Sequence, residues 1–249
     1  MPESMEPRHS VSRVHNSGLM MIQELLHLVY PRVCVSCGTL LQQQEQSICT
    51  TCLRSFDAFH DAAASGDAVR EVLRRHYPSA PLPAAATVLY RFHRDDGLQT
   101  ALHAMKYRGV FQLCNLFGAL LATKIAGDSS AEDIGAVVAV PLHKLKKISR
   151  TYNQSELIAR VIGRQCRLAV ESRLIGRTKY TVSQTGLSAK ERRTNVIDAF
   201  SPAGKPVPAH VLLVDDVMTT GSTVAAAMDV LAQCGAQKIS LAIVALATS

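Results

Sequence analysis

Residues 211–223 decide the fold, and their sequence is Val-Leu-Leu-Val-Asp-Asp-Val-Met-Thr-Thr-Gly-Ser-Thr. The first four residues are aliphatic, which predicts a strand that is buried on both faces, as in a parallel sheet. Two acids end this strand, a turn of small polar residues follows, and residues 224–234 are predicted to form a helix. The first N–H groups of a helix lack helical partners and its dipole is positive there, so the turn predicts an anion-binding pocket.

The side chains of the turn suit a phosphate group. Gly221 allows a close approach of the backbone to a ligand. Hydroxyl donors are present on Thr219, Thr220, Ser222 and Thr223. The turn is not a Walker A loop, because no Gly-Lys-Ser/Thr follows it. The alternative is an ordinary strand-to-helix turn in which Asp216 or Thr219 caps the helix.

All thirteen positions together resemble the phosphoribosyl-pyrophosphate (PRPP) motif of type I phosphoribosyltransferases. The resemblance implies that Asp215 and Asp216 hold the 2′- and 3′-hydroxyls of the ribose. It also implies that the turn cradles the 5′-phosphate, with the residues Val217, Met218, Thr219, Thr220, Gly221, Ser222 and Thr223.

Positive charge is concentrated in one part of the chain. The 249 residues carry a formal charge of +7, but residues 143–193 hold thirteen Lys and Arg against three acids and are +10 alone. Such a concentration indicates a polyanionic partner, either pyrophosphate groups or nucleic acid, and a solvated basic face is the alternative. No apolar run approaches the ~18 residues that cross a membrane, and no signal-peptide cleavage site follows residues 19–30, so we expect a cytoplasmic protein.

Four of the seven cysteines form two Cys-x-x-Cys pairs separated by eleven residues. Each pair can direct two sulfurs onto one ion, and two pairs complete a tetrahedral site with no open position for catalysis. We therefore predict a structural zinc ion, with the ligands Cys34, Cys37, Cys49 and Cys52. Two local disulfides or four free thiols are the alternatives, although this cysteine usage suits a reducing compartment.

Strands alternate with helices along the rest of the chain, which predicts an α/β fold whose mainly parallel sheet has helices on both faces. The predicted strands are residues 87–91, 137–140, 195–200, 211–214 and 239–246. The predicted helices are residues 19–29, 67–76, 97–105, 111–125, 152–165 and 224–234. The expected divisions are a flexible tail (1–18), a helix with the Cys₄ zinc module (19–60), a linker (61–86) and a phosphoribosyltransferase-like domain (87–249).

Two further segments carry candidate ligand contacts. A basic loop follows the strand at residues 137–140, at the end of an α/β sheet where ligands bind. In this loop Arg150 can make a bidentate contact to pyrophosphate, whereas Lys146 and Lys147 are more simply explained as solvent-facing. Residues 177–193 are polar, basic and poor in apolar anchors, which is typical of a mobile lid that excludes water, although an ordinary surface loop is the alternative. Arg177 and Lys179 are its candidate contacts.

The order of several short motifs resembles that of the ComF (ComF/GntX-like) family. These motifs are the Cys₄ module, Met105-Lys106-Tyr107, Val140-Pro141-Leu142, Arg150 with Tyr152-Asn153-Gln154, a series that runs from Gln184 to Phe200, and the acid-pair motif. One departure is Thr151, where the family usually has Gly.

That family joins a zinc-binding module to a type I phosphoribosyltransferase domain and is implicated in competence, the uptake or processing of transforming DNA. The resemblance implies binding of PRPP with Mg²⁺ and a pentosyl transfer to an acceptor that the sequence does not identify. It implies a catalytic role for the acid pair and PRPP contacts from Lys106, Arg150, Arg177 and Lys179. The alternative is a non-catalytic DNA-uptake adaptor that binds single-stranded DNA or a competence protein.

Overall fold

Helices and strands alternate in the computed structural model, which describes residues 31–94, 96–128, 132–142, 152–177 and 199–247. Its helices are α1 (Thr50–Ser55), α2 (Ala62–His76), α3 (Gly97–Tyr107), α4 (Gln112–Ala126), α5 (Gln154–Cys166) and α6 (Ser222–Gln233). Its strands are β1 (Ala86–Phe92), β2 (Ala136–Ala139), β3 (Ile175–Arg177), β4 (Phe200–Pro202), β5 (His210–Met218) and β6 (Lys238–Ala247).

The central sheet has four parallel strands in the order β1-β6-β5-β2. Its two inner strands, β5 and β6, are buried along almost their whole length, which explains their unbroken aliphatic runs. Because all four strands run the same way, their carboxyl ends meet at one edge. There Met218 at the end of β5 is in register with Leu246 of β6. The predicted fold class is confirmed.

Helices cover both faces of this sheet and divide the core into two parts. On the first face, apolar residues of α3, α4 and α5 pack together, among them Leu102, Phe117 and Ile158. On the second face, α2 and α6 contribute residues such as Leu73 and Met228. No single helix of the described ranges is long and apolar enough to cross a membrane, and α3 with α4 passes that test only as a pair bent by 119°.

The cysteine-containing module packs directly on the first face of the sheet. Cys34 and Cys49 belong to the same buried cluster as the residues of α3 and α4. Phe56, just after α1, meets the ring of Tyr90 on β1 edge to face, with ring centroids 5.4 Å apart. Ala58 also forms an antiparallel bridge to Tyr90, so the chain leaves the module along the edge of β1. The module is therefore continuous with the core of the α/β domain.

Beyond shifts of one or two residues at element ends, three regions differ from the prediction. β5 does not end at the acid pair but continues to Met218, because its partner β6 runs beside it as far as Ala247. The helix predicted at residues 67–76 begins at Ala62, where Asp61 caps it, and its buried face packs against β1 within the segment predicted as a linker. Residues 175–177, for which no strand was predicted, form strand β3, which pairs with β4.

Several predicted segments lie outside the described residues. They are the tail and the helix at residues 19–29, the basic loop at 143–151, and residues 178–198, which hold most of the predicted lid and the start of the strand predicted at 195–200.

Candidate functional site

The acid pair lies near the carboxyl end of β5, just before the turn into α6. Asp215 and Asp216 are both buried, with 9% and 8% of their surface exposed. Oδ1 of Asp215 accepts a hydrogen bond from Oγ of Ser155 at 3.0 Å and another from the backbone N–H of Asp216 at 2.9 Å. Ser155 lies in the first turn of α5, so this helix start is fixed against the acid pair.

Lys106, in the last turn of α3, forms an ion pair with the second acid. Its Nζ lies 3.2 Å from Oδ1 of Asp216, and both side chains are largely buried. One ammonium beside two carboxylates leaves the cluster with a net negative charge when both acids are ionised. The hydrogen bonds and the ion pair that described residues make with the two carboxylates all reach Oδ1, so the described residues leave Oδ2 of each acid open.

The surroundings of Asp215 alter its ionisation. Burial, and then the neighbouring carboxylate of Asp216, raise the pKa of Asp215 to about 7, whereas the Asp216 N–H, Lys106 and the Ser155 hydroxyl lower it. A ligand that donates hydrogen bonds to Asp215 favours its carboxylate form. Binding of such a ligand near neutral pH is therefore coupled to release of a proton.

The turn between β5 and α6 has the geometry of an anion site. Its Gly221 occupies the N-cap position of α6 with φ of 78°, a conformation that favours glycine. A Cβ at this position would lie 2.8 Å from Cε of Met218 and 3.0 Å from Cδ2 of Leu73. Neither Asp216 nor Thr219 holds the cap position, so the ordinary capping alternative is wrong. Because Gly221 has no side chain that could cap α6, the first N–H groups of this helix face the turn.

Buried polar atoms at the same edge of the protein lack hydrogen-bond partners. They are Oδ1 of Asn153, Nε2 of Gln154 and Oγ1 of Thr220, each without a partner among the described residues. The other amide atom of Asn153 donates to the backbone carbonyl of Val140 at 3.1 Å, which ties the start of α5 to the end of β2. Because buried polar atoms are usually paired, these atoms fit an edge that binds a polar ligand.

The predicted contact residues are only partly brought together. Lys106 meets the acid pair, but Arg177 lies in β3, where its guanidinium carbon is 5.2 Å from the ring centroid of Phe200. Arg150 and Lys179 lie outside the described residues.

The turn residues also divide by burial. Met218 and Ser222 are buried, whereas Val217, Thr220 and Thr223 are half-buried and Thr219 is exposed. The side chain of Met218 packs in the core of the second face, so only its backbone is open to a ligand role.

Two residues of this site, Ser155 and Tyr152, were given no role from the sequence. Ser155 directly follows the Tyr152-Asn153-Gln154 motif, and that adjacency was its one signal. Tyr152 donates a hydrogen bond to the backbone carbonyl of Met105 and so joins the start of α5 to the end of α3. Burial raises the pKa of Tyr152 to about 12, which keeps its hydroxyl protonated as a donor. These contacts hold Lys106 and Ser155 at a fixed distance on either side of the acids.

The four predicted metal ligands converge on one point. Sγ atoms of Cys34, Cys37, Cys49 and Cys52 all lie within 4.8 Å of one another. The Cys37 and Cys49 sulfurs are 3.8 Å apart, which matches the ~3.8 Å between sulfurs that tetrahedral geometry gives at a Zn–S distance of ~2.3 Å. All seven cysteines are free thiols, so the disulfide alternative is wrong. The donor set and its spacing fit a zinc ion.

Backbone and side-chain donors support thiolates in this cluster. The N–H groups of Cys49 and Cys52 point at the sulfurs of Cys34 and Cys49, at 3.3 and 3.4 Å. Hydrogen bonds from Thr39 lower the pKa of the Cys37 thiol to about 6, whereas burial raises the pKa of the Cys52 thiol to about 12, so these donors favour the thiolate at Cys37 and not at Cys52. By contrast, burial raises the pKa of Cys114 to about 12, as expected for a packed thiol rather than a nucleophile.

A Ser-His-Asp arrangement lies at the opposite, amino-terminal edge of the sheet. His210 contacts Asp133 through Nδ1 at 2.6 Å and Ser240 through Nε2 at 2.9 Å. Ser240 is buried, and the cavity beside it measures only about 10 Å³, which is room for one water molecule. No substrate can reach this hydroxyl, so the arrangement pairs the polar groups of a buried histidine.

Comparison with known proteins agrees with these features. Residues 129–249 match the family model described as a phosphoribosyl transferase domain. Competence protein F of Haemophilus influenzae is 26% identical over 84% of this chain and 94% of its own length. DNA utilization protein YhgH of Escherichia coli O157:H7 is 27% identical over 86% of this chain and 96% of its own length. The protein of that name from Salmonella typhi is 35% identical, but over 42% of this chain and 46% of its own length. A match to a phosphoribosyl transferase domain and such relatives along most of its length confirm the predicted resemblance of the chain to the ComF family.

Proposed function

We propose that the carboxyl edge of the sheet binds PRPP together with Mg²⁺. The observation that carries this proposal is a buried acid pair, held by Lys106 and Ser155, directly before a glycine turn and a helix N-terminus. Hydroxyl groups of a ribose can donate to the Oδ2 atoms of Asp215 and Asp216. A 5′-phosphate suits the N–H groups and hydroxyls of the turn, since both favour negative charge.

The remaining parts of PRPP are assigned from the sequence. Arg150 and Lys179 would face the pyrophosphate group, whereas the guanidinium of Arg177 lies over the ring of Phe200. Mg²⁺ would bind together with PRPP and would supply positive charge that offsets the negative charge of the leaving pyrophosphate. The acid pair keeps its hydroxyl contacts and offers negative charge beside the positive charge that develops on the ribose ring. Transfer to an acceptor is the reaction that this arrangement supports.

The Cys₄ module has a structural role in this proposal. Four thiolates fill the coordination of zinc and leave no position for a substrate. The module packs on the helix that carries Lys106, at Gly97, where an added Cβ would lie 2.2 Å from Oγ of Ser36. Zinc would therefore hold together the surface on which α3 rests. Free thiols that bind zinc are typical of a reducing compartment such as the cytoplasm.

A screen for pyrophosphate release tests transfer directly. The zinc-loaded full-length chain is incubated with Mg·PRPP and a panel of nucleobases and amines, with Asp216→Asn as the inactive comparison. Release that depends on one acceptor class and falls at least about a hundredfold in the variant supports transfer. Binding of PRPP without release for any acceptor would leave a binding protein and refute the transferase.

A second candidate function is suggested by the names of the relatives and by the charge of residues 143–193. The relatives are named for competence and for DNA utilization, which concern nucleic acid. A basic segment such as residues 143–193 of this chain can bind the phosphates of a nucleic acid. In this alternative the chain is an adaptor for single-stranded DNA or for a competence protein. Single-stranded DNA binding that weakens steeply with salt, and that Asp215→Asn and Asp216→Asn leave unchanged, would favour the adaptor.

A further inference from the structure

A cavity of about 430 Å³ lies at the amino-terminal edge of the sheet, between the start of α2, the start of β1 and the end of α4. Its volume falls within the range of about 300–1,000 Å³ that is usual for small-molecule sites. Most of its lining is alanine and glycine, so little side-chain volume fills it. The charged side chains of the lining are Arg70, Lys124 and Asp128. None of them belongs to the acid pair or to the turn, so a site here is separate from the proposed PRPP site.

Lys124 differs from the other lysines of the described residues in its partner. Lys106, Lys205 and Lys238 each form an ion pair with a carboxylate, at 3.2, 3.3 and 2.7 Å. Lys124, in the last turn of α4, instead donates a hydrogen bond to the backbone carbonyl of Phe59. A carboxylate favours the ammonium form of a lysine, whereas a carbonyl can accept a hydrogen bond from either form. Of the lysines in the described ranges, Lys124 therefore loses its proton most easily.

The surroundings of Lys124 also favour the neutral amine. Its side chain is half-buried, and burial lowers its pKa, although the carboxylate of Asp61 works against this change. The other charged groups of the cavity, Arg70 and Asp128, are of opposite sign and offset each other. A neutral amine can keep its hydrogen bond to the Phe59 carbonyl through one N–H, which leaves its lone pair free to react.

The guanidinium of Arg70 is held beside the cavity by backbone carbonyls. Nε donates to the Pro83 carbonyl at 3.4 Å and Nη2 to the Ala84 carbonyl at 3.2 Å. Nη1 pairs with Asp67 at 3.0 Å. These contacts use three of the five N–H donors, so each terminal nitrogen keeps one donor for a ligand such as phosphate. Gly66 leaves room for this arrangement, because an added Cβ would lie 3.2 Å from Nη1.

A nucleophilic amine and a fixed guanidinium in one cavity match a carbonyl group that carries a phosphate. We infer that Lys124 is a site of covalent acylation, and that the cavity at the amino-terminal edge takes an acyl phosphate whose phosphate contacts Arg70. The alanine and glycine lining leaves space for a small acyl group such as acetyl.

In the reaction, the lone pair of Nζ of Lys124 forms the new bond to the carbonyl carbon. The bond from this carbon to the phosphate oxygen breaks, and its electron pair leaves with the phosphate. The phosphate also takes the proton that the amine loses. The product is an amide without charge, and its remaining N–H can still donate to the Phe59 carbonyl.

Acetyl phosphate is the probe that tests the inference. The zinc-loaded full-length chain is incubated with it at pH 7, and peptide mass spectrometry follows the acetylation of Lys124, Lys205 and Lys238 with time. We expect the initial rate at Lys124 to be at least about fivefold above the other two rates, because ion pairs hold those lysines as ammonium groups. Exposure alone predicts the reverse order, since Lys205 and Lys238 are exposed.

Two variants test the phosphate contact. Arg70→Ala should slow acetylation of Lys124 by about fivefold or more and leave the rate at Lys205 unchanged. Gly66→Ala should also slow it, because its Cβ displaces the guanidinium, and it should fold because alanine is the better helix former. Arg74→Ala is the matched control, since Arg74 is an exposed arginine of α2 that does not line the cavity. N-acetoxysuccinimide, an uncharged acyl donor, should acetylate Lys124 at the same rate in all three variants.

The outcomes decide both parts of the inference. If Lys124 reacts with acetyl phosphate no faster than the two ion-paired lysines, the site is refuted. If Lys124 reacts faster but Arg70→Ala and Gly66→Ala behave like Arg74→Ala, the cavity does not hold the phosphate and the inference is wrong. A slower reaction of both variants with acetyl phosphate alone supports it. Because the reaction needs no PRPP, none of these results depends on the proposed function.

Discussion

Replacing Asp215 with asparagine should make the protein more stable at neutral and higher pH. Burial raises the pKa of Asp215 to about 7, from an ordinary value of 3.8. The folded state therefore binds the proton more tightly than the unfolded state, so the free energy of unfolding falls as pH rises between about 4 and 7. A difference of about 3 pKa units, at about 1.4 kcal/mol each, gives a ceiling of about 4 kcal/mol.

Asparagine removes this effect with little change of shape. Its side-chain oxygen can accept the same two hydrogen bonds, from the Ser155 hydroxyl and the Asp216 N–H. The assay is urea unfolding of the zinc-loaded protein at pH 5, 6, 7 and 8, with wild type and Asp215→Asn compared at each pH. Subtracting the two curves cancels the titration of distant groups, and Glu132→Gln, an exposed change, is the control.

We expect the advantage of Asp215→Asn over the wild type to grow with pH and to level off above about pH 7, at up to about 4 kcal/mol. Glu132→Gln should show no such trend. An advantage that stays constant from pH 5 to pH 8 would refute the reasoning, because it would mean that Asp215 ionises in the folded protein as it does in the unfolded chain.

Three other changes test the turn, the ion pair and the metal site. Gly221→Ala should lower the free energy of unfolding by about 2–4 kcal/mol, because the added Cβ meets buried side chains. Gly204→Ala, at a similar φ but in open space, should lower it by only about 1 kcal/mol. Equal losses in the two variants, measured by urea unfolding, would contradict the packing around Gly221. Lys106→Met should lower the free energy of unfolding by about 1–3 kcal/mol. Adding Asp216→Asn should restore part of this loss, and a double-mutant cycle measures the coupling between the two residues. Elemental analysis should find one zinc ion per chain, lost in Cys34→Ser and retained in Cys234→Ser, and equal zinc in both variants would exclude the Cys₄ site.

The sequence predicted the elements well where the signal was local. Aliphatic runs such as residues 239–246 predict buried strands, and small polar turns separate them from helices, so the α/β class follows from patterns of a few residues. The Cys-x-x-Cys pairs likewise carry their own geometry, and their four sulfurs converge as expected. The ion pair between Lys106 and Asp216 was not predicted, because the family resemblance implied only a PRPP contact for Lys106 and no local pattern links the two residues.

The rest depends on contacts between distant parts of the chain. β5 extends through the acids because β6 pairs with it to the end, and an acid pair in isolation predicts a strand end. Ser155 reaches Asp215 across 60 positions, and a serine at a helix start is more simply explained as ordinary helix chemistry. The helix α2 was expected within a linker, since its polar, alanine-rich sequence does not show that Val69 and Leu73 face the sheet.

Binding of Mg·PRPP, measured by isothermal titration calorimetry, tests the central claim most directly. The comparison uses wild type, Asp215→Asn, Asp216→Asn and the exposed control Glu132→Gln, all loaded with zinc. The account predicts saturable binding at one site per chain, unchanged in the control and weakened at least about tenfold in each acid variant. Binding of equal affinity in all four proteins, or no binding to the wild type, would contradict a PRPP site at the end of β5.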